Sequence, residues 1–391
     1  MLKLKTILYQ YPEFEKLGEL LNLDRPLLLK GIYGSLLALV ITYIRELNGK
    51  PQLIIVPDSD LAEKLTDDLQ NLMAAGEVCY FPCDEVMPFD EGIFTPALYS
   101  MRMKALTVAV EKNSPVVITT PQAILKKVPS PRSIKKNILH LKAGEDFERE
   151  LLIDWLAESG FERVNTIDEV GQFSVRGGIV DIFSFESDVP FRLEFFGDTV
   201  ESIREFDVIT QLSTGQVEKI RLLGETPGEK QEATLLDYFP ENSLLFWEDY
   251  RRCEIKINEW WEDATATFSR KKADLNLTSP DEYYLPPGEY LKNLTMFRQV
   301  KHCHLQTAEK VDLNFSSTPP PVFHGNIKLF VRHISDNTSV NQSAVKLDIY
   351  LLHESRAARD RLQDILEAEM GHISGIKFIA GEFHNGFCLP Q

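Results

Sequence analysis

Cysteine is scarce in this chain: five in 391 residues, an odd number scattered at 79, 83, 253, 303 and 388. That spacing excludes a disulfide framework. Cys79 and Cys83 are too few for a zinc site without two further ligands, and His302-Cys303-His304 alternates as a strand would, with the histidines on one side and the cysteine on the other, so no metal is expected. Long apolar runs are missing as well, which excludes a membrane span. The opening residues, MLKLKTILYQYPEFEKL, have no secretory apolar core with a small-residue cleavage site, and a cytoplasmic location with no membrane partner is expected. Positive charge is in short supply, 42 Lys and Arg against 59 Asp and Glu, a net charge of −17. Phosphate neutralisation by basic side chains supplies most nucleic-acid affinity, so this balance argues against a general nucleic-acid binder, although a local basic patch is compatible with it. It favours a protein partner.

A further absence is more specific. Residues 31–39, GIYGSLLAL, lie between an apolar strand pattern, PLLLK at 26–30, and a run, SLLALVITYIREL at 35–47, that is apolar on nearly every face. Strand, glycine turn and helix form the frame of a phosphate loop, which ends in glycine, a lysine for the phosphates and a hydroxyl for Mg²⁺. Laid over the chain from Gly31, with Gly34 in the turn, those last three places hold Leu36, Leu37 and Ala38. No nucleotide and no other cofactor is therefore expected, and the leucines are expected to fill the emptied space.

What is present is an alternation of strands (26–30, 52–57, 78–82, 115–120) with helices (to Leu47, Ser59 to Met73, 96–111), the grammar of a parallel sheet with helices on both faces. Asp58 or Ser59 is placed to cap the second helix. PSPRS at 129–133 reads as a linker. After it comes an amphipathic helix at 147–160, ended by Gly160, and then β patterns joined by Gly177-Gly178 and Gly197-Asp198, two-residue hairpin turns by composition. The αβ pattern returns with SLLFW, ending in Glu248-Asp249; residues 254–318 are mixed. TPPPVF at 318–323 is a stiff linker. The small αβ unit beyond it stops abruptly at CLPQ, so a longer parent protein is expected.

Within the β-rich segment, period-two alternation puts Phe191, Leu193 and Phe195 on one face and Arg192, Glu194 and Phe196 on the other; Phe173 and Val175 likewise oppose Ser174 and Arg176. If both hairpins belong to one sheet, Arg176, Arg192 and Phe196 share its outer side, exposed, with residue types enriched at interface hot spots. The alternative places Phe196 beneath the amphipathic helix and pairs the arginines with Glu194 or Glu201.

GQFSVRGGIVDIF followed by PFRLEFFGDTVESIREFD resembles a segment shared by the excision-repair helicase subunit UvrB and the N-terminal module of the transcription-repair coupling factors; TLLDYFP at 234–240 is also UvrB-like, and the ending GFCLP resembles the next domain of the coupling factors. UvrB-like proteins carry GxxGxGKT, a Walker B Asp-Glu followed by Ser-His, and a long DNA-clamping hairpin. This sequence has Leu36, Leu37 and Ala38, then Glu248, Asp249, Tyr250 and Arg251, and only MPFDEGIFTPALYSM where the hairpin would be. The resemblance thus implies the coupling-factor module, with degenerate Walker A (Gly31, Gly34, Leu36, Leu37, Ala38) and Walker B (Glu248, Asp249) positions and no catalytic residues.

The implied fold is α/β: a degenerate RecA/helicase-like parallel-sheet domain in two pieces, 1–133 and 223–318, with an inserted α+β antiparallel-sheet domain at 134–222 and a small αβ domain at 324–391. The implied function is a non-catalytic module that recruits the repair protein UvrA through Arg176, Arg192 and Phe196. RNA polymerase and double-stranded DNA are then contacted by regions absent here. A UvrB-like damage-binding module and a divergent ATPase are the alternatives.

Overall fold

The computed structural model describes residues 2–83, 95–225, 231–275, 279–304, 307–338, 348–370 and 376–390. The expected strands form at Leu27–Lys30, Gln52–Ile55, Val78–Phe81 and Val116–Thr119. With Leu244–Trp247, Arg298–Cys303 and Leu313–Asn314 they make one seven-stranded sheet, in which Leu27–Lys30 lies between Leu313–Asn314 and Arg298–Cys303, and Val78–Phe81 forms the far edge. Every pairing in it is parallel. Helices cover both faces, so the strands are apolar on both: Leu27, Leu29 and Ile54 enter one core, Leu28, Leu53 and Ile55 the other.

Asp58 caps the helix Ser59–Gln70, its Oδ1 accepting the Leu61 N–H at 3.1 Å. Two stretches differ from the sequence reading. PSPRS is not a linker, because Ser130 caps a helix, Pro131–Lys136, with proline at its first position. Residues Tyr250–Leu275 form one long helix in a region that looked mixed. Its buried positions, Cys253, Ile257, Ala264 and Phe268, do repeat at helical spacing.

The inserted segment builds a six-stranded sheet, in spatial order Ser213–Val217, Thr199–Phe206, Phe191–Phe196, Ile179–Ile182, Gln172–Arg176 and Glu162–Arg163. All pairings are antiparallel except the last. Leu152 and Leu156 of the helix Arg149–Glu158 pack on Phe173, Val180, Leu193, Val200 and Ile203. Chain entry and exit run side by side as an antiparallel ribbon, Ile138–Lys142 with Lys219–Leu223. Leu222 faces the inserted core, and Leu223 the core of the large sheet.

Beyond the prolines, the helix Ile327–Thr338 precedes a parallel pair, Ile349–His353 with Ile376–Ala380, joined across the helix Arg356–Met370. The chain then returns to the large sheet. Thr318 and Cys388 exchange backbone hydrogen bonds of 2.9 and 2.8 Å, and Phe383, Phe387 and Leu389 pack on the core around the helix Leu36–Asn48. No helix among the described residues is long and apolar enough to cross a membrane.

Candidate functional site

The glycine turn joins the strand Leu27–Lys30 to the helix Leu36–Asn48, and three of its amides are engaged within the chain. Ile32 N–H donates to His302 Nε2 at 3.3 Å, and Tyr33 N–H to Ser317 Oγ at 2.8 Å. Ser35 N–H donates to the Asn385 carbonyl and Asn385 N–H returns to Ser35 Oγ, each at 3.1 Å. Gly31 and Gly34 have φ of 70° and 57°. A Cβ at Gly31 would lie 2.2 Å from Asn314 Oδ1, and one at Gly34 would lie 2.6 Å from the Gly386 carbonyl. Left-handed backbone and close approach together require glycine at both. Leu36, Leu37 and Ala38 are buried in the core on the helix that follows. Asn385 and Gly386 lie against this turn from outside, with Leu36 and Leu37 buried behind it.

At the Walker B position, Glu248 is buried at the end of Leu244–Trp247. His302 Nδ1 meets its Oε2 and His304 Nε2 its Oε1, both at 2.7 Å. Burial alone would raise this carboxyl group's pKa, but the two histidines outweigh burial and hold it at about 2. The His304 pKa is raised by the same contact. Donor atoms of Glu248, His302 and His304 lie within 4.8 Å of one another, as a metal site would require. However, a metal-bound histidine carries its proton on the nitrogen away from the metal. His302 Nε2 accepts the Ile32 N–H, so the His302 proton sits on Nδ1 and is donated to Glu248. The cluster is complete as a hydrogen-bonded network. The neighbouring Asp249 takes φ 45° at the entry to Tyr250–Leu275, and Tyr250 and Arg251 both bond to Glu309. Of the segment compared with the DNA-clamping hairpin, residues 87–94 lie outside the described residues.

The outer face of the inserted sheet is different. Register aligns Ser174, Asp181, Arg192 and Arg204 in one row and Arg176, Ile179, Glu194 and Ser202 in the next. Asp181 is only 1% exposed. It accepts from Arg192 Nε at 2.7 Å and Nη2 at 3.0 Å, and from Arg176 Nη2. The two arginines thus share Asp181 rather than pairing with Glu194 or Glu201; Glu194 pairs with Arg204 at 2.6 Å. Arg192 also stacks 4.5 Å above the Phe206 ring and donates to the Gln211 carbonyl at 3.3 Å.

Exposure separates the three residues. The Arg176 side chain is 50% exposed, whereas that of Arg192 is 16% exposed, which corrects the expectation that both stand free. Phe196 is 80% exposed, on the side opposite the helix Arg149–Glu158, so it is not second-face core. It stands four positions from Arg192 on the same strand, roughly 13 Å along it. Asp181 was missed by the sequence reading, although its place between Val180 and Ile182 puts it on the arginines' face.

Residues 139–227 match the family model of the UvrB interaction domain. The chain is 30% identical to the transcription-repair-coupling factor of Bacillus subtilis over 93% of its own length and 37% of that protein. It is 25% identical to the one from Haemophilus influenzae over 77% of its length and 31% of that protein. The chain thus spans about a third of these relatives. The matched segment contains Arg176, Asp181, Arg192 and Phe196.

Proposed function

From a chain that is the UvrB-homology module of a transcription-repair coupling factor, we propose a recruiting rather than a catalytic role: it binds UvrA through Arg176, Arg192 and Phe196 and so brings excision repair to a lesion. The observation that carries this reading is Phe196, a large aromatic side chain 80% exposed on the same sheet face as two guanidinium groups held in place by one buried carboxylate. Rigid aromatic and arginine anchors of this kind dominate binding energy at protein interfaces. On this reading, engagement of a stalled RNA polymerase and movement on double-stranded DNA belong to the part of the relatives' length that this chain does not span. The absence of ATPase activity is supported by the loop amides, which bond to His302, Ser317 and Asn385.

Calorimetric titration of UvrA with the whole chain tests the proposal. Phe196→Ala is expected to weaken binding by about 2–4 kcal/mol, roughly 30- to 1,000-fold, with an unchanged urea midpoint. Arg176→Lys is expected to weaken it as well, because an ammonium cannot reproduce a planar fork. Normal binding by Phe196→Ala removes this face from the reading.

A further inference from the structure

The acidic charge of this protein is unevenly distributed. Between Glu111 and Glu145 there is no Asp or Glu, while lysines and arginines recur throughout. The fold gathers several of them at the neck of the inserted domain. The helix Pro131–Lys136 presents Arg132, Lys135 and Lys136 to solvent. In the adjoining ribbon, Leu141, Ile220 and Leu222 turn inward, so the alternate positions turn outward. Those positions pair Lys142 with Lys219 and His140 with Arg221. The two lysines are like charges directly opposite each other on a sheet, which is destabilising. An open depression of about 490 Å³, lined by Val110, Glu111, Lys112, Lys135, Ile138 and His140, lies beside them.

Some of this charge is compensated. Glu111 pairs with His140 at 3.1 Å and with Arg221, Glu186 takes Arg221 at 2.6 Å, and Glu145 lies 3.5 Å from Lys142. Lys112, Arg132, Lys135, Lys136 and Lys219 make no ion pair among the described residues.

We propose that this neck face binds the phosphate backbone of duplex nucleic acid without reading its sequence. Three kinds of polyanion separate by what else they need. A protein interface needs an apolar centre, and a single strand needs exposed aromatics for its bases to stack on. No large apolar side chain of residues 112–144 is exposed. A duplex backbone needs only positioned cations. The inference is independent of UvrA binding.

Fluorescence anisotropy of a labelled duplex with the whole chain tests it. With about four phosphates neutralised, affinity is expected to fall roughly 100-fold between about 50 and about 200 mM salt. The combined variant K135E/K136E/K142E is expected to lose at least tenfold in affinity at low salt. Its urea midpoint is expected to stay close to that of the parent, since Lys142→Glu relieves the repulsion from Lys219 while losing the Glu145 contact. Reversing Lys3, Lys16 and Lys292 instead changes the net charge equally and is expected to cost far less. No binding at low salt, no salt dependence, or equal losses from both triple variants overturns the proposal. So does neck-dependent capture of polyglutamate with no capture of duplex, which assigns the face to an acidic protein.

Discussion

The glycine turn of the large sheet and the outer face of the inserted sheet carry comparable polar equipment, yet they treat it in opposite ways. At the turn, amides that suit phosphate bond to His302, Ser317 and Asn385, and the Glu248 carboxylate is shared by two histidines. On the outer face, Asp181 is equally buried but orients two arginines whose exposure differs, and Phe196 is left in solvent. Buried polar groups must be satisfied wherever they lie. What distinguishes the retained framework from the proposed binding face is whether satisfying them leaves any group directed outward.

The largest expected effect is on the framework side. Glu248→Ala strands two histidines around a cavity and should cost about 3–5 kcal/mol in urea unfolding while UvrA affinity, measured on the folded fraction, stays unchanged. An unaltered unfolding midpoint would show that the Glu248 network does not stabilise the large sheet. Arg192→Ala is expected to do both kinds of damage: about 1–3 kcal/mol of stability, because Asp181 keeps only Arg176, together with weaker UvrA binding. Adding Asp181→Ala to it should restore part of the stability and none of the binding, a separation that titration and unfolding on the same samples would reveal.

Smaller effects come from pH. The folded Glu248 carboxyl group titrates at about 2, below its ordinary 4.5, so its stabilisation is complete above 4.5 and lost as pH falls toward 2. The His304 pKa is raised above 6.5, so its contribution is complete below 6.5 and lost as pH rises through the folded value. Urea midpoints followed across pH should therefore fall at both ends, and His304→Gln should flatten the upper limb. The smallest expected effect is none: about 1 mM Mg-ATP should leave the melting temperature unmoved, whereas a site at 100-fold lower dissociation constant would add roughly 2.7 kcal/mol.

Local pattern and tertiary context contributed differently. The parallel sheet was legible because two-sided burial writes continuous apolar runs such as PLLLK and QLIIVP. Phe196 was legible because a strand's side chains alternate. The helix Tyr250–Leu275 was obscured by many charges around a sparse apolar stripe, although its repeat was present. The shared use of Asp181 required a register between strands that alternation alone does not supply. The contact between the turn and Asn385 was beyond reach, since no local preference connects Ser35 with a residue 350 positions away.

By itself, then, the sequence determined the period of each element, the apolar face of each strand and the loss of the phosphate-binding lysine, because each depends on neighbours within a few residues. Tertiary structure decided where the charges went. It folded Asp181 beneath two arginines, closed Glu248 between two histidines and laid the 385–386 backbone over Gly34. The energy of a buried charge or an open amide depends on the partner that reaches it, and that partner is chosen only when distant segments pack.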